Sequence, residues 1–158
     1  MISKNMLLAA YQYSFYLVGE ALQGITHQES LLKPPGGDNP ANWILGHILT
    51  SRSNIQAMLG LEPIWDITRC KLYLPDSEPL TLESQVEELE VMIADLETTE
   101  DELLKALKDL TDDQLLEPSG ENSLGENLAG YAIHEAFHAG ELAIIRNWLN
   151  DHPGEIGP

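Results

Sequence analysis

The segment His134-Glu135-Ala136-Phe137-His138-Ala139-Gly140-Glu141 concentrates the side chains best suited to chemistry. On a helix, at about 100° per residue, His134 and His138 lie roughly 40° apart and about 6 Å along the axis. Phe137, Ile145 and Trp148 bracket the pair. Two imidazoles and Glu141 thus fall on an apolar face, where a polar group needs a partner. His47 repeats the anomaly in an earlier stretch, between Ile44 and Ser51 on an apolar stripe. An i, i+4 pair and a histidine from another helix can give three nitrogens to one metal ion; a position left open makes such a site catalytic in type. Hydrogen-bonded core histidines produce the same pattern, and spacing alone does not separate the two.

His134-Glu135-x-x-His138 also matches the zinc-peptidase string, in which the glutamate is the general base. The wider context is missing. One subclass places a third histidine where this chain has Ile144; another needs a downstream glutamate, for which only Glu141 and Glu155 remain. On an ideal helix Glu141 stays within the histidine sector. Glu135 sits about 80° from the mean direction of the pair, beside the polar side marked by Arg146. Zinc-peptidase glutamates occupy that same relative angle, so direction alone does not exclude Glu135; Glu141 is the candidate catalytic carboxylate, with three roles open: fourth ligand, base, or acceptor for an imidazole N–H.

Charge narrows the partners. Against 26 Asp and Glu stand 8 Lys and Arg, a formal net charge of −18. That field repels phosphate backbones and anionic headgroups, which points away from nucleic acid and membrane surfaces and towards a small-molecule substrate. The single Cys70 cannot form an intrachain disulfide and leaves any metal to histidine and carboxylate. The apolar run from Met6 to Tyr11 breaks at Gln12, too short for a signal-peptide core or a membrane span, so the cytoplasm is the expected location.

Four helical stretches must position these groups in one domain over residues 1–158. The first, from Ser3 to about Gly24, carries Leu8, Tyr11, Phe15, Val18, Leu22 and Ile25 at helical spacing. A Pro34-Pro35-Gly36-Gly37-Asp38 loop follows, and the second helix opens at Asn39-Pro40 and stops at Gly60. Residues 61–80 hold three prolines and no period, which reads as a long connection. The third helix shows a stripe through Leu82, Val86, Leu89, Ile93, Leu96, Leu103, Leu107 and Leu110, broken only at Glu100. Glu100 either reaches solvent or pairs with Lys105 or Arg52. The 14 acids of residues 76–113 read as a solvated face. A Thr111–Gln114 turn and a Pro118-Ser119-Gly120 loop precede the fourth helix, which opens on a Ser123-x-x-Glu126 capping box and runs to Leu149. No stretch alternates with period two, so no sheet is expected. His27 and His152 read as solvated, and Ala132, Ala136, Ala139 and Ala143 as a small-residue stripe on the outer side. The fold class is all-α, a four-helix bundle. Twenty extended residues span roughly 66–72 Å, twice a 22-residue helix, so the 61–80 connection permits an up-down-down-up order.

Asn42-Trp43-Ile44-Leu45-Gly46-His47-Ile48 resembles the segment that carries the first metal-binding histidine of the DinB-like family. His134-x-x-x-His138-x-Gly140 resembles that family's final-helix pair. Leu22-Gln23-Gly24-Ile25-Thr26 and the Pro/Gly loop after it resemble the close of its first helix. The resemblance implies a four-helix bundle with a long connection between its second and third helices. It also implies a divalent metal, zinc or nickel, on His47, His134 and His138, and homodimers through helix faces. Relatives in this family include transferases and isomerases that use a low-molecular-weight thiol as nucleophile. One departure stands out: many members have Gln where this chain has Glu141. Three functions follow as expectations: a metal-dependent, thiol-using enzyme; a non-catalytic, metal-stabilised module in stress response or protein association; and a zinc hydrolase that depends on Glu135.

Overall fold

A computed structural model describes residues 2–37, 39–80 and 84–152. Four long helices dominate it: α1 (Lys4–Leu22), α3 (Ala41–Met58), α5 (Leu89–Asp109) and α7 (Leu124–Asp151). Between them lie single turns, α2 (His27–Ser30), α4 (Ile67–Cys70) with a 3₁₀ turn at Lys71–Tyr73, and α6 (Asp112–Leu115). A minimal hairpin, β1 (Pro118–Ser119) and β2 (Asn122–Ser123), turns at Gly120 with φ of 69°. No period-two signal can announce strands of two residues, and these are the correction to the expectation of no sheet. The fold is all-α in every load it carries.

Local chemistry sets most of the boundaries. Ser3 caps α1 by accepting the Met6 N–H, and Ser123 and Glu126 form the expected capping box on α7. Thr111 and Gln114 form another, so the expected turn there is a short helix. Two starts differ from the sequence reading. Pro40, not Asn39, is the residue before α3, with no side-chain cap. The third long helix begins at Leu89 rather than near Leu82; Val86 precedes it, and Leu82 lies outside the described residues. Glu88 gives α5 no side-chain cap. Instead the Leu89 N–H donates to Nδ1 of His27 over 3.2 Å, a cap from 62 residues away. His27 is thus a structural group and not a solvated one.

The side-chain pairings give the directions of the helices. Tyr11 Oη donates to the Leu128 carbonyl, Ser14 to Glu135, and Arg146 to the Glu20 carbonyl, so α1 and α7 run parallel. Lys4 donates to the carbonyls of Lys108 and Leu110, setting α5 antiparallel to α1. Asn42 reaches the Glu87 carbonyl, Arg52 Thr99, and Gln56 Glu102, so α3 and α5 run together. The connection makes that arrangement feasible by retracing α3. The Trp65 backbone N–H donates to Ser53 Oγ, the Tyr73 ring packs on Gly46, and the Glu87 N–H donates to Tyr73 Oη. The core is two apolar clusters. One is built on Val18, Ile48, Leu96 and Leu142, the other on Leu7, Ile55, Leu103 and Leu128. Buried Ser14, Arg52, Thr99, Glu100 and Glu135 lie between them along the helices.

Candidate metal centre

His47 comes from the middle of α3, which is buried on every side from Ala41 to Ser53. Gly46 allows this. A Cβ there would stand 2.2 Å from Cδ1 of Tyr73, so only glycine lets the Tyr73 ring lie against the helix. With the ring in place, the Tyr73 carbonyl sits 2.7 Å from His47 Nδ1. A carbonyl can only accept, so Nδ1 carries the proton and Nε2 presents a lone pair. Trp43 stacks on the same imidazole, rings 4.9 Å apart and 8° from parallel, and is itself tied to Ser77 through its indole N–H.

The two histidines of α7 meet it there. His134 Nε2 lies 3.1 Å from His47 Nε2 and 3.1 Å from His138 Nε2. His138 Nδ1 is 2.6 Å from Oε2 of Glu141, which again orients Nε2 inward. All three donor atoms fall within 4.8 Å of one another. Two inward lone pairs that face the same third nitrogen cannot both be satisfied by it, since one Nε2–H can donate to only one of them. A cation between them satisfies all three. Tetrahedral zinc with bonds of about 2.0–2.1 Å spaces its nitrogens roughly 3.3–3.4 Å apart, close to the 3.1 Å here. Burial, then the neighbouring imidazoles, pushes His134 and His138 down to about 4, so both are neutral ligands at neutral pH. The donor set fits a divalent metal ion.

Of the three roles open to Glu141, the geometry shows the imidazole acceptor. Glu135 needs a larger correction. It is 3% exposed, at the centre of the buried face of α7, and not beside the polar side. Its carboxylate receives Arg52 Nε and Nη2, each at 2.8 Å, and Ser14 Oγ at 2.6 Å. Those bonds commit it to the bundle interior and leave it no role as the base of a zinc peptidase. Of the residues that bracket the histidines in sequence, Phe137 is 64% exposed, and Ile133 and Ile144 are exposed too; small residues, Gly125, Ala132 and Ala139, fill much of the buried face. Two members of the alanine stripe therefore face inward.

Arg52 is fully buried and resolves the puzzle of Glu100, whose Oε2 lies 3.1 Å from Nη2. One guanidinium thus meets two carboxylates. Burial outweighs Arg52 and, with Glu135, pushes Glu100 up to about 7, so a proton on Glu100 balances the cluster near neutrality. Burial acts to lower Arg52, but Glu135 and Glu100 outweigh it and hold the guanidinium above its usual value. Sequence offered Arg52 only as one of three fates for Glu100. Nothing in it linked Arg52 to Glu135, and no local signal marked Ser14, Tyr73 or Trp43 as supports.

The sequence pattern of the DinB superfamily matches residues 17–142, and the chain belongs to that family. The match takes in His47, His134, His138 and Glu141. The fold is shared with a solved conserved protein from Enterococcus faecalis, at TM-score 0.73 and 15% identity over 96% of this chain and 99% of that one. No curated protein sequence matches the chain.

Proposed function

We propose that this DinB-superfamily protein is a metal-dependent enzyme. In this reading His47, His134 and His138 hold zinc or nickel, and a low-molecular-weight thiol reacts at the ion in a transfer or isomerisation. One observation carries it: the three Nε2 atoms converge while the Nδ1 atoms of His47 and His138 are tied to outside acceptors. A divalent ion at that point supplies Lewis acidity and favours the deprotonated form of a thiol. The chain does the rest. Tyr73 and Glu141 fix two imidazole planes, Trp43 shields His47, and among the described residues no carboxylate joins the cluster. Three protein donors are the usual complement of a catalytic rather than a structural zinc site.

Metal analysis of untagged protein, followed by zinc and nickel titration, tests the reading. One ion per chain is expected, with affinity lost by orders of magnitude in His47→Ala, His134→Ala and His138→Ala. Protein that stays metal-free in excess zinc and nickel refutes it. A thiol-transfer screen on the loaded protein then separates an enzyme from a metal-stabilised module.

A further inference from the structure

Two clefts flank the imidazoles, one on each side along α7. The first has a volume of about 340 Å³ and lies between the Pro34–Gly37 loop and the second half of α7. Ile44, one turn before His47, and Glu141, one turn after His138, form the wall nearest the histidines; Ile144, Ile145 and Asn39 continue it. The second, about 280 Å³, is lined by His134 itself with Tyr131, Asn127 and Glu126. A molecule held at the histidines can extend its remaining atoms into the second cleft past His134, or into the first past Glu141, the partner of His138.

The charge in both clefts has one sign. Among the described lining residues, Glu141 is the only charged group in the first and Glu126 the only one in the second; neither cleft offers lysine or arginine. Glu126 is engaged in the cap of α7, where the Ser123 N–H and hydroxyl hold its carboxyl below the usual range and keep it negative. The protein field adds to this, with a formal charge of −18. Apart from Glu141 and the neutral amide of Asn39, the first cleft is walled by proline, glycine and isoleucine, so it supplies no positive charge to balance an anion.

We infer that the thiol or substrate used at this centre carries a cationic group on its tail, seated beside Glu141 in the cleft between the Pro34–Gly37 loop and α7. The inference rests on the three-histidine metal reading, and the experiment separates the two. Cobalt(II)-loaded protein is titrated with three thiols of similar size and fixed charge: thiocholine, 2-mercaptoethanol and 2-mercaptoethanesulfonate. None of the three tails chelates the ion strongly, and affinities are referred to the thiolate present. The cobalt absorption bands before any thiol is added report the metal site. Their shift reports thiol binding.

An exposed charge pair changes affinity several-fold, so attraction of the cation and repulsion of the anion together predict a preference for thiocholine over the sulfonate of about tenfold at low salt, shrinking as salt is raised. Glu141→Gln should remove most of it. Because that variant also loosens His138, Ile144→Lys is the second probe. Ile144 is 67% exposed, lines the cleft and is not one of the three histidines. A lysine there should abolish or invert the preference while the cobalt bands stay intact. Equal or tighter binding of the sulfonate by wild-type protein with normal cobalt bands overturns the inference and leaves the metal site standing. Absence of the bands before thiol is added overturns both.

Discussion

Glu135→Gln tests whether the carboxylate inside the His-Glu-x-x-His string serves the fold or the chemistry. The substitution keeps the shape and removes the charge. It also turns an NH₂ group towards one N–H of Arg52, replacing a charge-assisted hydrogen bond with two opposed donors. Breaking a buried ion pair costs about 3–5 kcal/mol, because the remaining charge is stranded. Here the stranded group is a guanidinium with no exposure. Relief is available, since Glu100 lies 3.1 Å from Nη2 and titrates near 7, so it can release its proton and become the counter-ion. The expected loss is therefore at the low end, about 3 kcal/mol. At about 2–4 °C per kcal/mol for a domain of this size, the melting temperature should fall by roughly 6–12 °C. Thermal unfolding of metal-free wild type and variant at pH 7 measures it, and zinc titration of the variant below its transition should still give full occupancy. Glu100→Gln combined with Glu135→Gln leaves Arg52 with no counter-ion and should cost more than the two single changes summed. A shift under about 2 °C would refute the ion-pair argument. Lost metal binding with unchanged stability would move Glu135 into the site.

Glu141→Gln should weaken metal affinity at least tenfold by isothermal titration, because it replaces the carboxylate that fixes His138. Gly46→Ala drives a methyl into the Tyr73 ring and displaces the carbonyl that orients His47. It should destabilise by about 1–3 kcal/mol in denaturant titration and also lower zinc affinity. His134 and His138 stay neutral down to about 4, so the protons that compete with the metal at these two ligands should be felt only as pH approaches that value, which zinc titration at a series of pH values checks. In metal-free protein the unfolded chain takes up protons on these histidines below about 6.5 that the folded chain refuses until about 4. Stability from them therefore drops as pH falls through that window. Glu100 opposes this, holding a proton between about 4.5 and 7 that the unfolded chain releases, so chemical denaturation of Glu100→Gln should show the steeper dependence. A homodimer through the exposed side of α7, proposed from Ile133 and Phe137, should appear in sedimentation at high salt and dissociate in Phe137→Glu.

The sequence alone determined the four long helices, except where α5 begins, the all-α bundle and the three histidines. Each of these rests on local patterning: a 3.6-residue period, capping residues such as Ser123 and Glu126, and two imidazoles one turn apart. A histidine on an apolar stripe is conspicuous because the surrounding residues are not polar, and that contrast needs no tertiary information. Tertiary structure decided what each histidine does. The Tyr73 carbonyl that sets the His47 tautomer is 26 residues away. The His27 nitrogen that starts α5 is 62 residues away, and Arg52 meets Glu135 across 83. The rotation of α7 was also misread from sequence. Its buried face is built partly of alanine and glycine, while Ile133, Phe137 and Ile144 face solvent, so hydrophobicity by itself pointed about a quarter turn away. Packing rewards fit as well as apolarity. Small residues allow α1 and α7 to approach, and a carboxylate is buried at the centre of that contact because Arg52 waits there to meet it.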